Sequence, residues 1–390
     1  MMGKILNNDV PLMIGLAGDV MIDRDNPSEV FSEVGALLRA PDILFANLES
    51  PYSDTPGVSM TANIAVVPRA HNLNAYAPAG FSVMSMANNH IVDGGHAAML
   101  QTRGRLLEQG ILTCGAGKNL LEARRPAIIE RRGVKVGFLA YASVFPHGYE
   151  ARSNVPGLAP LRAYNHFYEF PEFYGPGSLP RVETIPDPQD HKNLEADIEA
   201  LRGEVDILAV SFHWGEYRQP FVLTDHERRT ARLCIDRGAD VVIGHHHHAL
   251  RGVEWYKGRP IFYGLGHLVF DVRLILTDEV KALLAGADPD GYAVCPREGW
   301  PLLPLHSDTR MTMLGWIRVT GASILDAGFV PCRLQPDGRV VPVDPEKSDG
   351  VEVVAYLQRC NHSQKLNGKL VLEGAPIVGG QRSIQVAPIT

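Results

Sequence analysis

Cysteine is scarce in this chain. Five occur, at Cys114, Cys234, Cys295, Cys332 and Cys360, dispersed and with no Cys-x-x-Cys pair. That argues against a disulfide framework and a thiolate metal site, and predicts reduced, structural thiols. Long apolar runs are missing too. No stretch approaches the roughly 20 residues a membrane-spanning helix needs. Residues 12–20 are apolar but broken by Asp19 and preceded only by Lys4, so they do not read as a secretion signal and a cytoplasmic protein is expected. Nor is there an excess of charge of one sign. With 37 Lys and Arg against 44 Asp and Glu, the formal net charge is -7. So mild an acidity gives no footprint for nucleic acid or an anionic membrane, and neither is expected as a partner. A Gly-x-Ser-x-Gly nucleophile segment is lacking, as are internal repeats and low-complexity tracts.

What is present suits a large globular protein. The chain has 390 residues, of which 45% are hydrophobic and 21% charged, enough for a substantial core. The 38 Gly and 28 Pro predict many loops. Strand and helix patterns alternate over the first two thirds. Strands are expected at 12–17, 43–46, 81–87, 207–212 and 241–243, mostly as short apolar runs of the kind buried on both faces. Asn26, Pro27 and Glu29 look like a helix start. A helix over 96–109 closes at Gly110. Thr224 and Glu227 form a capping box opening a helix that ends at Gly238, and 194–201 is helical. Residues 127–130 and 134–142 flank an Arg-Arg-Gly turn, and 252–256 and 260–263 flank Lys-Gly-Arg; both are hairpin signals. Residues 311–341 return to strand patterning, and 351–366 read as a terminal helix. This alternation implies a layered α/β domain over 10–275, with 276–390 as an extension that completes it or forms an interface, which leaves a homo-oligomer open.

Two irregular stretches interrupt the pattern. Residues 145–190 are rich in Pro, Gly and aromatics (Tyr149, Tyr164, Phe167, Tyr168, Phe170, Phe173, Tyr174) and read as a lid or substrate wall. Residues 278–310 are less informative.

Polar residues recur where the apolar strands end. Asp19 follows the first, Asn47 and Glu49 the second, Asn88, Asn89 and His90 the third, His213 a later one, and His245 to His248 the next. Ligands of α/β sheets bind outside the carboxyl ends of strands. Carboxylate, amide and imidazole donors together suit divalent Zn, Mn, Fe, Co or Mg. A bridging carboxylate holds two such ions roughly 3.5–4 Å apart, and a metal-bound hydroxide then serves as nucleophile.

The segments Gly18-Asp19-Val20-Met21, Asn47-Leu48-Glu49 and Ala87-Asn88-Asn89-His90 with Asp93 resemble the CapA family of capsule and poly-γ-glutamate synthesis proteins, itself related to calcineurin-like metallophosphoesterases. Ser211-Phe212-His213-Trp214-Gly215, Gly244 to His248 and Tyr263-Gly264-Leu265-Gly266 add to the resemblance, which spans about 12–272. It implies a four-layered αββα sandwich of the metallophosphoesterase type and one or two bound ions. By that likeness Asp19 binds one ion, Glu49 bridges, Asn89 and His213 bind the second, and His90 faces the substrate; His90 and Asn88 are the expected catalytic residues. In the histidine run the family pattern makes His246 and His248 ligands, leaves His245 variable and puts His247 in place of a proline. Met21 stands where many metallophosphoesterases have a ligating histidine, so the first ion is weakly held, absent or completed by Asp23. The expected activity is metal-dependent hydrolysis of a small substrate, foremost an amide or related C–N bond in a carboxylate-bearing, γ-glutamyl-like compound. Arg152, Arg162 or Arg218 would meet its carboxylate, with Trp214 nearby. Phosphoester hydrolysis and a polymer-binding component without turnover are the alternatives.

Overall fold

A computed structural model describes residues 10–57, 59, 61, 65–168, 181–272 and 291–389. Two sheets make the body. The larger has ten strands. From its middle to one edge the Leu12–Met21, Ile43–Leu48, Val83–Ser85 and Leu112–Cys114 strands run parallel. The smaller has six, with Val134–Ala142, Ile207–His213, Val241–His245 and Arg259–Phe262 parallel at its core.

The period of two along a strand explains the layers. Ile207 and Ala209 enter the core between the sheets, with Val136, Phe138, Val241 and Ile243. Their neighbours Leu208, Val210, Phe212, Leu139, Tyr141 and Val242 point the other way, onto Leu194, Ile198 and Leu201 of the Pro188–Arg202 helix and Ala231, Cys234 and Ile235 of the Asp225–Asp236 helix. Both faces are therefore dry, and the strands are apolar throughout rather than alternating. Between the sheets Phe45 stacks on Phe138, with ring centroids 5.1 Å apart and planes 2° from parallel. The Gly95–Glu108 and Ser348–Ser363 helices bury Met99, Leu106, Val353 and Leu357 in that same core. The result is the expected layered α/β sandwich.

Local chemistry agrees at several points. Thr224 and Glu227 form the full capping box. Gly110 takes φ of 79° after the Gly95–Glu108 helix. Both hairpins form, Ala127–Arg131 with Val134–Ala142 and Val253–Tyr256 with Arg259–Phe262.

Other expectations change. Asn26 caps nothing with its side chain, and the segment it opens is a single 3-10 turn, Pro27–Phe31. The Ser348–Ser363 helix is not terminal. Gly368–Val371 and Ile384–Pro388 follow it and extend the larger sheet. The Met311–Thr320 strand pairs with Leu12–Met21, so the C-terminal region is built into the sandwich by main-chain hydrogen bonds. Part of the aromatic stretch is a hairpin, Ala163–Tyr168 against Arg181–Pro186. Phe170, Phe173 and Tyr174 lie outside the described residues, as do 278–290.

Phe138→Ala empties the intersheet stack and is expected to destabilise the fold by about 3–5 kcal/mol. The denaturant midpoint measures this, and a loss below about 1 kcal/mol would contradict a core shared by the two sheets.

Candidate functional site

Two close backbone approaches bring the polar strand ends together. The Leu12–Met21 strand shifts register between Leu16 and Asp19 against its Ile43–Leu48 neighbour. Past the shift, Asp19 pairs with His267 of the His267–Phe270 strand, and its amide donates to the Gly266 carbonyl at 3.1 Å. A side chain at position 18 would strike that same carbonyl, so only glycine fits. Gly244 lies as close to the Tyr263 carbonyl. After it the chain bends sharply, with positive φ at His246 (91°) and His248 (55°). Such backbone is costly for residues with a Cβ and clusters at functional sites.

The site assembles from five strand ends. Asp19, Glu49 and His248 are buried, and one donor atom from each lies within 4.8 Å of the others. Around them, His213 Nε2 is 2.6 Å from Asn89 Oδ1, 3.1 Å from His246 Nδ1 and 3.5 Å from Glu49 Oε1. Two donor groups thus share Glu49. Asn47 ties them together: its amide donates to Asp19 Oδ1 at 2.9 Å and to Glu49 Oε2 at 2.6 Å.

The electrostatics call for a cation. Burial alone would raise the Asp19 carboxyl, but its contact with His245 and the fields of His213 and His248 hold it well below the usual range. Burial, and then the charge of Asp19, push Glu49 well above it. Burial likewise depresses His213 and His248, and takes His246 down to about 3. Neutral imidazoles are the ligating form. Among the described residues, Glu49 Oε1 and His248 Nδ1 are buried without hydrogen-bond partners. A divalent ion among these oxygens and nitrogens would satisfy them and allow both carboxylates to ionise. The Asp19, Glu49 and His248 donors therefore fit a divalent metal.

His90 stands beside this group. Its Nδ1 meets Asp93 Oδ2 at 2.7 Å. Asp93 in turn accepts from the Tyr149 hydroxyl at 2.8 Å and the Val66 amide at 2.8 Å. Asn88 is buried, donates to Asn47 Oδ1 and the Leu48 carbonyl, and accepts from the His90 amide; its place is under the site, holding two strand ends in register.

Several nominated residues have other partners. Arg152 pairs with Glu150 and Arg162 grips Asp190 through two bonds. Arg218 pairs with Glu216 but remains exposed, and it follows Tyr217, whose ring lies 5.8 Å from His246. Trp214 is fully buried, stacked on Phe212, so no substrate reaches it. Asp23 turns to Arg69 at 3.0 Å and does not complete the donor set. His247 points away from the group, to Glu227 Oε1 at 2.8 Å. Glu227 is itself buried, so His247 is held by a partner inside the protein. Asn47, His245 and His267 belong to the site and were not nominated. Asn47 had a signal: it lies at the end of the same apolar strand, two residues before Glu49.

His226 lies at the edge, with Nε2 2.9 Å from Ser143 Oγ. Burial, then His191, lowers its pKa from 6.5 to about 4. The unfolded chain therefore binds the proton first, and stability is lost as pH falls from about 6.5 to about 4. Wild type is expected to lose about 2–3 kcal/mol more than His226→Gln between pH 7 and pH 4. Denaturant melts at the two pH values check this, and parallel losses would contradict it.

Residues 13–272 match the model of the family described as "Bacterial capsule synthesis protein PGA_cap". The chain is 29% identical over 280 residues to the PGA biosynthesis protein CapA of Bacillus subtilis (strain 168), covering 69% of this chain and 65% of that one. It is 27% identical over 273 residues to the capsule biosynthesis protein CapA of Bacillus anthracis, covering 67% and 60%. A probable polyglutamine synthesis accessory protein of Mycobacterium tuberculosis (strain CDC 1551 / Oshkosh) is 30% identical over 236 residues, covering 60% and 56%. The chain thus spans less than two thirds of the length of these relatives. With well over half of its residues inside the family match, this chain belongs to the PGA_cap family of bacterial capsule synthesis proteins.

Proposed function

We propose that this protein is a metal-dependent hydrolase that cleaves an amide or related C–N bond, with one or two divalent ions held by Asp19, Glu49, Asn89, His213, His246 and His248. The observation that carries the reading is the buried Asp19 and Glu49 pair, whose facing donors have, among the described residues, no partners of opposite charge other than imidazoles. A divalent ion supplies Lewis acidity there and lowers the pKa of water. The protein's own groups do the rest. Asp93, itself held by the Tyr149 hydroxyl, fixes His90 through Nδ1, which leaves Nε2 to face the substrate and pass a proton to the leaving nitrogen. Arg218, exposed at the rim, is the nominated arginine placed to meet a substrate carboxylate.

The relatives' names favour the amide. Poly-γ-glutamate is joined by amide bonds, and each unit carries a free carboxylate. The same names, biosynthesis and accessory protein, also support a second reading, a polymer-synthesis component without turnover. In the reading we favour the protein works in the cytoplasm. Its cysteines are all free and buried, which suits a reducing compartment, and no helix among the described residues is long and apolar enough to cross a membrane.

Protein reconstituted with Mn or Zn is expected to hydrolyse γ-glutamyl-p-nitroanilide faster than p-nitrophenyl phosphate. His213→Ala should lose about a hundredfold or more in kcat, and His90→Asn about 10²–10⁴-fold with KM little changed. Binding of poly-γ-glutamate without turnover, retained in His213→Ala, would overturn this reading in favour of the second. Faster turnover of the phosphate would replace the amide with a phosphoester.

A further inference from the structure

Beside the donor group lies a cavity of about 80 Å³. One side is formed by His90 and His248, and the walls by Met21, Val66, Phe270, Val294 and Leu305 among others. Among the described residues that line it, none is Lys, Arg, Asp or Glu. These walls belong to an apolar cluster separate from the main core, in which Met21 and Phe270 pack with Leu303, Leu305 and Leu334. The His248 ring lies 4.6 Å from that of Phe270, so the metal-ligand candidate and the apolar wall are in direct contact.

The far wall has a different origin from the donors. Val294, Pro304 and Leu305 follow residue 272, where the family match ends. Met21, unsuited as a ligand for hard ions, here supplies apolar surface.

We infer that this cavity is a substrate subsite for a small uncharged apolar group next to the scissile bond, so that the preferred substrate is an amide with a compact aliphatic or aryl substituent rather than a polyanionic γ-glutamyl chain. This inference rests on the hydrolase reading above. A carboxylate projecting past His248 onto the Phe270, Val294 and Leu305 wall would leave water for an apolar surface with no cationic side chain among the described residues. An apolar group gains from exclusion of water, and the volume holds roughly half a dozen heavy atoms of water size. Arg218 lies outside this lining and leaves the opposite end of the substrate free to carry charge.

Hydroxamates test the subsite through binding alone, because they chelate the metal and project a tail of chosen chemistry. Calorimetry on Mn- or Zn-loaded protein would compare acetohydroxamate, isovalerohydroxamate, benzohydroxamate and succinohydroxamate. The branched or aromatic tail is expected to bind at least tenfold tighter than acetohydroxamate, and the carboxylate tail no tighter. Val294→Phe, at a half-buried position that tolerates size, should remove that advantage and leave acetohydroxamate unchanged. Val294→Asp should do the same. Equal affinity across the series, or an equal effect of Val294→Phe on every member, would overturn the subsite alone. Failure of the whole series to bind, acetohydroxamate included, would overturn the hydrolase reading and the subsite with it.

Discussion

Two carboxyl groups, Asp19 and Glu49, are buried in one place and share a single amide donor, Asn47. Most of the site's geometry follows from that constraint. Without a cation, one carboxyl stays ionised only by driving the other toward its neutral form. Neutral imidazoles gather round the pair because burial denies them protons. Each is then a donor in search of an acceptor of lone pairs. A divalent ion resolves the conflict of charge and the unmet hydrogen bonds together.

The sandwich is what makes such a cluster affordable. Parallel strands in both sheets deliver their ends to one site, and they are buried up to their last residues. Gly18 and Gly244 permit main-chain contacts at the points where Asp19 and the histidine run emerge. The left-handed backbone at His246 and His248 turns successive side chains to different duties. His246 joins His213, His248 joins Asp19 and Glu49, and His247 leaves the group for Glu227.

Much of this was legible from residue order. Apolar runs ended by Asp, Glu, Asn or His marked the strands and their functional ends, because a strand buried on both faces has few other places for a polar side chain. The capping box and hairpin turns were equally plain, since their chemistry is local. Long-range pairing was not. Nothing in the final residues announces that Ile384–Pro388 pairs with Ser323–Leu334, or that Met311–Thr320 lies beside the first strand. The arginines show the same limit. Arg162 looked free for a ligand, but Asp190, brought to it by the fold, holds it. His267 escaped notice because only its pairing with Asp19 reveals its position.

Metal content is the most direct test of the central claim. Elemental analysis on protein purified without an affinity tag would compare wild type with Glu49→Gln, which keeps shape and removes the charge. The account predicts at least one tightly held divalent ion per chain in wild type and its loss in the variant. Metal-free wild type, even after reconstitution with Zn, Mn or Fe, would contradict it and leave the buried carboxylate pair without its counter-charge.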